Sequence, residues 1–378
     1  MISCGEASGD LYAGALAAEL RARVPEVGLF GLGGPRLEAA GAALVGDFTG
    51  LTVTGLTEAV RVLPRSYAMY RRLLDAARTR KPDVLVAIDF PDFNFRLMAA
   101  LRGLGVPIVY YVSPQLWAWR PGRMATMRRF VDKVLVIFPF EAPLYERAGI
   151  PVQYVGHPLV DLARATQPRA AFLADAGLVP EAPTVALLPG SRPNEVRRLA
   201  PGIGAATALI RERVPGVQFL AACAPNLPAD LFAPLVARDV VLLYGQADNV
   251  LAASDVVITA SGTATVQATV HERPMVVVYR VSPVTFRLGK RFLKVDTFAM
   301  PNLIAGRRVV SELIQDECTP ERVAEETISL LIDTERRARV RAALQGVREQ
   351  LGMPGASGRA AEAVLEVAST ASRSRPGA

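Results

Sequence analysis

Residues 84–95 read VLVAIDFPDFNF: an apolar run ends in Asp89, and Asp92 and Asn94 follow within five residues. A carboxylate at the mouth of a buried strand costs several kcal/mol unless something satisfies it or something uses it. The use open to it is proton abstraction, because a carboxylate within hydrogen-bond reach of a hydroxyl can act as a general base. Spacing alone lets either Asp89 or Asp92 take that role.

Other segments put small residues between an apolar run and a helical pattern. GEASGD (5–10) opens a helix that begins near Leu11, with Ser8 or Asp10 as its cap. Free backbone N–H groups there suit an anion or a sugar hydroxyl, although a plain capped helix explains the segment as well. In LLPGSRPNEVRR (187–198) a strand ends at Leu188, Pro189 and Gly190 turn, and Ser191 and Arg192 precede a helix carrying Glu195. That arrangement aims N–H groups and a guanidinium at one spot, which suits a diphosphate. In TASGTATVQA (259–268), Ser261, Gly262 and Thr263 open a helix and Gln267 sits one turn inside. The glycine lets a phosphate or base approach the backbone closely. Two such loops in one domain point to a nucleotide. FAMPNLIAGR (298–307) is irregular, with Asn302 and Arg307 able to reach a ligand or to serve the fold.

Absent motifs narrow the chemistry. There is no Walker loop, no D-x-D for a metal-bound diphosphate and no G-x-S-x-G. His157 and His271 are the only histidines and stand apart from Cys4, Cys223 and Cys318, so neither a zinc site nor a disulfide framework is expected.

Two features bear on partners. YVSPQLWAWRPGR (111–123) sets Tyr111, Trp117 and Trp119 beside Arg120 and Arg123. Such rings stack on sugars or bases, or gather at membrane interfaces. From Arg61 to Lys81 there are seven basic residues and one acid, Asp75, and among them stand Tyr67, Tyr70, Arg71 and Arg72 between apolar positions. FRLGKRFLK (286–294) is similar. A basic amphipathic helix of this kind suits an anionic membrane surface, while solvated arginines alone also explain it. No nucleic-acid motif accompanies the charge.

The elements that must position these residues are legible as rhythm. The chain has 378 residues, 51% hydrophobic and 21% charged, with a net charge of +7 and a pI near 9.6. That length allows about two domains, and the basic balance favours anionic partners. Apolar runs at 28–32, 83–88, 107–112, 133–138 and 152–155 are followed by a second set at 184–188, 217–222, 239–243, 255–259 and 275–279. Helical patterns at 11–23, 66–80, 195–213 and 263–270 lie between them. Uniformly apolar strands joined by helices indicate parallel sheets covered on both faces. The rhythm restarts after residue 160. The expectation is α/β, with two doubly wound domains at 1–162 and 163–345, C-terminal helices at 346–368 packing back on an N-terminal domain, its own or a partner chain's, and a disordered tail at 369–378. Ligands in such sheets bind beyond the carboxyl ends of strands, where Asp89 falls. Only MISC precedes the GEASGD turn, so either the first strand is short or the start lies upstream. Neither a signal peptide nor a spanning helix is expected.

Taken together and in order, GEASGD, GGPRLEAAG, VTGLTEA, KPDVLVAIDFPDFN, YVSPQLWAWR, IFPFE, VGHPL, LLPGSRPNEV, ASGTAT, MVVVYR and MPNLIAGR closely resemble the lipid-A-disaccharide synthases of Gram-negative bacteria. The resemblance spans nearly the whole chain. It implies a GT-B architecture, with two Rossmann-like domains facing a cleft, and a family-19 inverting glycosyltransferase. The implied reaction joins UDP-2,3-diacylglucosamine to 2,3-diacylglucosamine 1-phosphate (lipid X) and releases UDP, in lipid A biosynthesis. No cofactor and no metal are implied. The resemblance selects Asp89 as general base and places Glu6, Ser8, Gly9 and Asn94 on the acceptor side. It places Gly190, Ser191, Arg192, Ser261, Gly262, Thr263, Gln267 and Asn302 at the UDP. Arg61, Tyr67, Tyr70, Arg71 and Arg72 form the membrane or acyl surface. Many members carry Glu where this chain has Gln267, and Gln lacks the charge that strengthens bonds to ribose hydroxyls.

The implied setting is cytoplasmic, on the inner face of the cytoplasmic membrane, without nucleic acid, and a homodimer is left open. Two other readings remain: another GT-B UDP-sugar enzyme, such as a UDP-GlcNAc 2-epimerase or a peptidoglycan-type glucosaminyltransferase, and a non-catalytic peripheral membrane protein.

Overall fold

A computed structural model describes residues 1–48, 56–114, 116, 121–281 and 297–374. The first part of VTGLTEA, Trp117, Trp119, Arg120, the basic stretch 286–294 and the last four residues lie outside the described residues. So does the side chain of Arg61.

The chain forms two units, Met1–Pro158 with the residues from Leu351 onward, and Leu159–Gln350. The changeovers therefore fall at 158/159 and 350/351, a few residues from the 162/163 and 345/346 expected from the strand rhythm.

In the first unit seven parallel strands lie in the order β3-β2-β1-β4-β5-β6-β7. They are β1 (Ile2–Cys4), β2 (Phe30–Gly33), β3 (Ala43–Asp47), β4 (Leu85–Ile88), β5 (Ile108–Tyr111), β6 (Lys133–Val136) and β7 (Val152–Tyr154). In the second, six lie in the order β10-β9-β8-β11-β12-β13. These are β8 (Thr184–Leu188), β9 (Gln218–Cys223), β10 (Val241–Tyr244), β11 (Val256–Ala260), β12 (Met275–Tyr279) and β13 (Ser311–Ile314). Every pairing is parallel. Parallel strands need crossover helices, and those helices cover both faces. That is why β4, β5, β8 and β11 are buried along their whole length, whereas the edge strands β3 and β10 are half exposed.

The last described helix, Ala356–Ser374, extends six residues into the 369–378 tail expected to be disordered, and it packs on the first helix, Ala7–Arg23. Its buried face is small: Ala356, Ala360, Ala361, Ala363 and Val364. Small residues let two helix backbones approach closely. Arg23 donates to Glu362 at 3.0 Å and Lys133 to Glu366 at 2.7 Å. Both carboxylates are exposed, so these pairs contribute little beside the burial. Arg359 ties the entry to this helix by donating to the Val155 carbonyl at 2.8 Å, and His157 N–H donates to the Leu351 carbonyl at 2.8 Å.

Candidate active site

In the first sheet the strand order reverses between β1 and β4. The loops after these two strands leave in opposite directions, and that is where a doubly wound sheet opens a crevice. Cys4 pairs with Ile88 at the top of the two strands, so Gly5–Ser8 and Asp89–Phe90 emerge side by side. Gly5 lies so close under the Phe90 ring that any Cβ there would enter the ring.

Asp89 and Phe90 are both left-handed, with φ of 43° and 50°. Neither is glycine, so the turn is strained by roughly 1–3 kcal/mol per residue. The structure over-determines it from below. Asn94 is fully buried, and its Nδ2 donates to the Asp89 carbonyl at 2.7 Å. Its Oδ1 accepts from Ser3 Oγ at 2.7 Å. The Tyr110 hydroxyl donates to the same Asp89 carbonyl at 2.7 Å. Asn94 thus stands beneath the loop as a strut, and its side chain is engaged within the protein. The Asp89 side chain is half-buried and charges the space around two phenols. Burial first, then neighbouring groups that include Asp89, hold Tyr110 and Tyr12 well above the usual phenol range.

Asp92 is placed differently. It lies in the first turn of the helix Pro91–Arg102, its side chain is 77% exposed, and it is ion-paired with Arg123. Of the two carboxylates left open by spacing, Asp89 is the one at the switch point. His157 is buried between Tyr12 and Phe138, and burial pushes its pKa down to about 3, so it stays neutral.

One sequence expectation is corrected here. The first helix starts at Ala7, ahead of Leu11, and its N-cap is Glu6, with no side-chain cap. Asp10 caps another helix, Pro35–Ala39. Its two oxygens accept from the backbone N–H groups of Gly34, Arg36 and Leu37 at 2.7, 2.9 and 3.1 Å. Ser8 and Gly9 are inside the first turn, with Gly9 packed on Cys4.

The second sheet repeats the device. Its order reverses between β8 and β11, and the two glycine turns of the sequence stand there. Gly190 and Gly262 have φ of 126° and 137°, values that L side chains rarely adopt. The Arg192 guanidinium donates to Glu195 Oε1 at 2.9 Å, and Glu195 Oε2 accepts from Ser191 N–H at 3.2 Å. Glu195 therefore holds the arginine at the N-terminus of the helix Pro193–Arg213. Thr263 opens the helix Thr263–Val270, whose N-cap Gly262 has no side chain to close it. Two helix N-termini and one guanidinium converge on the carboxyl end of the sheet, where a diphosphate is favoured.

Ser261 Oγ donates to the Phe298 carbonyl at 3.3 Å. The Phe298 segment is itself held by Glu312 of β13. This carboxylate is 4% exposed and accepts from Phe298 N–H at 2.9 Å, Ala299 N–H at 3.1 Å and Asn302 Nδ2 at 2.5 Å. Asn302 also donates to the Val310 carbonyl and accepts from the N–H groups of Val309 and Val310. With both donors and its acceptor engaged, Asn302 positions the loop. Glu312 was not singled out in the sequence; the available signal was one charge inside the apolar run VVSELI. Arg307 is exposed.

On the helix Leu56–Arg80, Met69, Leu73, Leu74 and Ala77 face the core. Tyr67 is 61% and Leu63 50% exposed. Tyr67 stacks on Tyr70 at 6.2 Å. Arg65, Arg72, Ala68 and Met69 line a pocket of about 640 Å³ against β3, with Asp47 opposite. Among the described residues no cluster of His, Cys, Asp and Glu could hold a metal ion, and no helix is long and apolar enough to cross a membrane.

Comparison with known proteins bears on the whole chain. The family model described as lipid-A-disaccharide synthetase matches residues 1–367. The lipid-A-disaccharide synthase of Myxococcus xanthus is 45% identical over 370 residues, covering 97% of each chain. That of Geobacter metallireducens is 43% identical over 373 residues, covering 97% of this chain and 96% of its own. Among solved structures, UDP-GlcNAc 2-epimerase from Neisseria meningitidis superposes with a TM-score of 0.64 at 14% identity, covering 97% and 98% of the two chains. The calicheamicin glycosyltransferase CalG4 gives 0.61 at 17% identity, covering 97% of both. At such identities these two share the fold alone.

The strut beneath Asp89 can be tested by unfolding. Tyr110→Phe should lower stability in urea melts by about 1–2 kcal/mol, and Asn94→Ala by about 3 kcal/mol, since it leaves several buried groups unpaired. Unchanged midpoints would mean that the left-handed turn stands without them.

Proposed function

The chain belongs to the lipid-A-disaccharide synthetase family and is a glycosyltransferase of lipid A biosynthesis, and on that premise we propose how its two switch points divide the reaction. The first unit takes the acceptor, lipid X, and the second takes UDP-2,3-diacylglucosamine. The acceptor hydroxyl attacks the anomeric carbon as Asp89 removes its proton. The carbon–oxygen bond to the β-phosphate breaks, its electron pair leaves with UDP, and the product is the β-1,6 disaccharide 1-phosphate with inversion. Glu6, Ser8 and Gly9 line the acceptor loop beside Asp89, and Asn94 keeps that loop in shape. Arg192 and the helix N-termini at Pro193 and Thr263 stabilise the charge that gathers on the departing diphosphate, so the reaction runs without a metal. Gly190, Ser191, Ser261 and Gly262 shape the diphosphate loops, Gln267 faces the ribose and Asn302 supports the loop at Phe298.

The observation that carries this reading is the placement of Asp89, a half-buried carboxylate held in a strained turn at the first switch point. A UDP-sugar epimerase of the same fold is disfavoured by the family assignment. The exposed Tyr67, Arg71 and Arg72, with the half-buried Tyr70 beside them, suit a peripheral contact with the anionic inner face of the cytoplasmic membrane, from which both acylated substrates are drawn.

Purified protein given both substrates, detergent and EDTA should yield the disaccharide 1-phosphate by mass spectrometry; absence of product would overturn the reading. Asp89→Asn should lower turnover by about 10²–10⁴-fold with UDP affinity nearly unchanged. Near-normal turnover would remove Asp89 as the base. Arg192→Ala should weaken UDP binding about tenfold or more by calorimetry, and an unaltered affinity would place the diphosphate elsewhere. Replacing both Arg71 and Arg72 by Glu should cut co-sedimentation with anionic vesicles. Undiminished binding would leave that helix a solvated face.

A further inference from the structure

Gln267 is held by a carboxylate. Its Nε2 donates to Asp248 Oδ1 at 2.8 Å, and His271 Nε2 lies 2.9 Å from the same oxygen. Asp248 stands in the first turn of the helix Ala247–Ala253, which follows β10 on the carboxyl side of the sheet. Its side chain is 27% exposed and that of His271 10%. An ionised carboxylate offers only acceptors. Beside it the Gln267 amide has one favoured orientation, with the NH₂ group turned toward Asp248 and Oε1 turned away. Among the described residues neither Gln267 Oε1 nor Asp248 Oδ2 has a hydrogen-bond partner.

We propose that Asp248 is a positioning residue for nucleotide recognition: it fixes the Gln267 amide and backs its carbonyl oxygen with negative charge, so that a neutral side chain accepts ribose hydroxyls as a charged one would. The proposal rests on the reading that Gln267 faces the ribose. Two physical effects support it. Donation to an anion polarises the amide and raises the electron density on Oε1, and hydrogen bonds in such a chain strengthen one another. The fixed orientation also removes the alternative in which the amide presents its donors to the ligand. Positions 248 and 267 are thereby coupled. A carboxylate at 267 would lie within hydrogen-bond distance of the Asp248 carboxylate, and like charges so close oppose ionisation of both. Glutamate at 267 therefore needs a neutral partner at 248.

Calorimetry with UDP and its 2′,3′-dideoxy analogue tests this. The intact protein should prefer UDP. Asp248→Asn keeps the shape, removes the charge and lets the amide turn either way. UDP affinity should fall about tenfold and that of the dideoxy analogue less than about twofold, the scale of one charge-assisted hydrogen bond. Gln267→Glu alone should also lose about tenfold in UDP affinity, and Gln267→Glu with Asp248→Asn should recover to within about threefold. The proposal is overturned if Asp248→Asn keeps the original preference for UDP. It is overturned too if both ligands weaken in parallel with a lowered melting temperature, as a purely structural role would give, or if Gln267→Glu binds UDP fully with Asp248 in place. Absence of any preference in the intact protein would instead remove the ribose reading beneath it, and the proposal with it.

Discussion

A parallel sheet covered on both faces leaves one place for chemistry, the carboxyl ends of its strands where the order reverses. The candidate site residues of this chain stand where that constraint puts them, twice over. The first sheet reverses between β1 and β4 and the second between β8 and β11. Each reversal holds two loops side by side, and the four loops carry Glu6, Asp89, Arg192 and Thr263. The strands beneath are buried throughout, which makes them rigid mounts for loops that must hold unusual backbone angles.

Those loops are shaped from underneath by polar groups whose hydrogen bonds run within the protein. Asn94 and Tyr110 hold a strained turn by its carbonyl; Asp10 gathers three N–H groups of the neighbouring loop; Glu312 and Asn302 lock the segment beside Ser261. Each buried group is costly alone and stabilising when its partners are in place, so the polar interior specifies one arrangement of the loops. Glu195 does the same at the surface by steadying Arg192.

How much of this was legible in the sequence depended on which force set each feature. Strands that are apolar along their length read as apolar runs, and ten were found within a few residues of their bounds, the half-exposed β7 and β10 among them. β1, with three residues, is the short first strand that MISC left open. Two were missed: β3 is a half-exposed edge with a mixed sequence, and β13 reads SELI, its glutamate breaking the apolar signal because it serves the network around Asn302. The glycine turns were legible because left-handed backbone favours glycine. The turn at Asp89–Phe90 was not, because two non-glycine residues are held there by hydrogen bonds to the Asp89 carbonyl from side chains 5 and 21 positions away in the chain. Asn94 and Asn302 entered through the family resemblance, and their hydrogen bonds to the loops were not legible, because spacing does not tell an amide that meets a ligand from one that holds a loop. Asp248 gave no local sign, since its relation to Gln267 exists only across two helices.

The return of the chain to its first unit has a consequence for synthesis. The helix Ala356–Ser374 completes the unit begun by Met1–Pro158, and roughly 190 residues are made in between. At ribosomal rates that interval is on the order of 10–40 s. Throughout it the nascent first unit has a helix whose apolar side has no cover, while the second unit, continuous in sequence, can close as soon as it emerges. Of the two units, the one that starts first in the sequence is thus the last to be finished, and a chain that stops at Gln350 holds one complete unit and one open to chaperones and proteases.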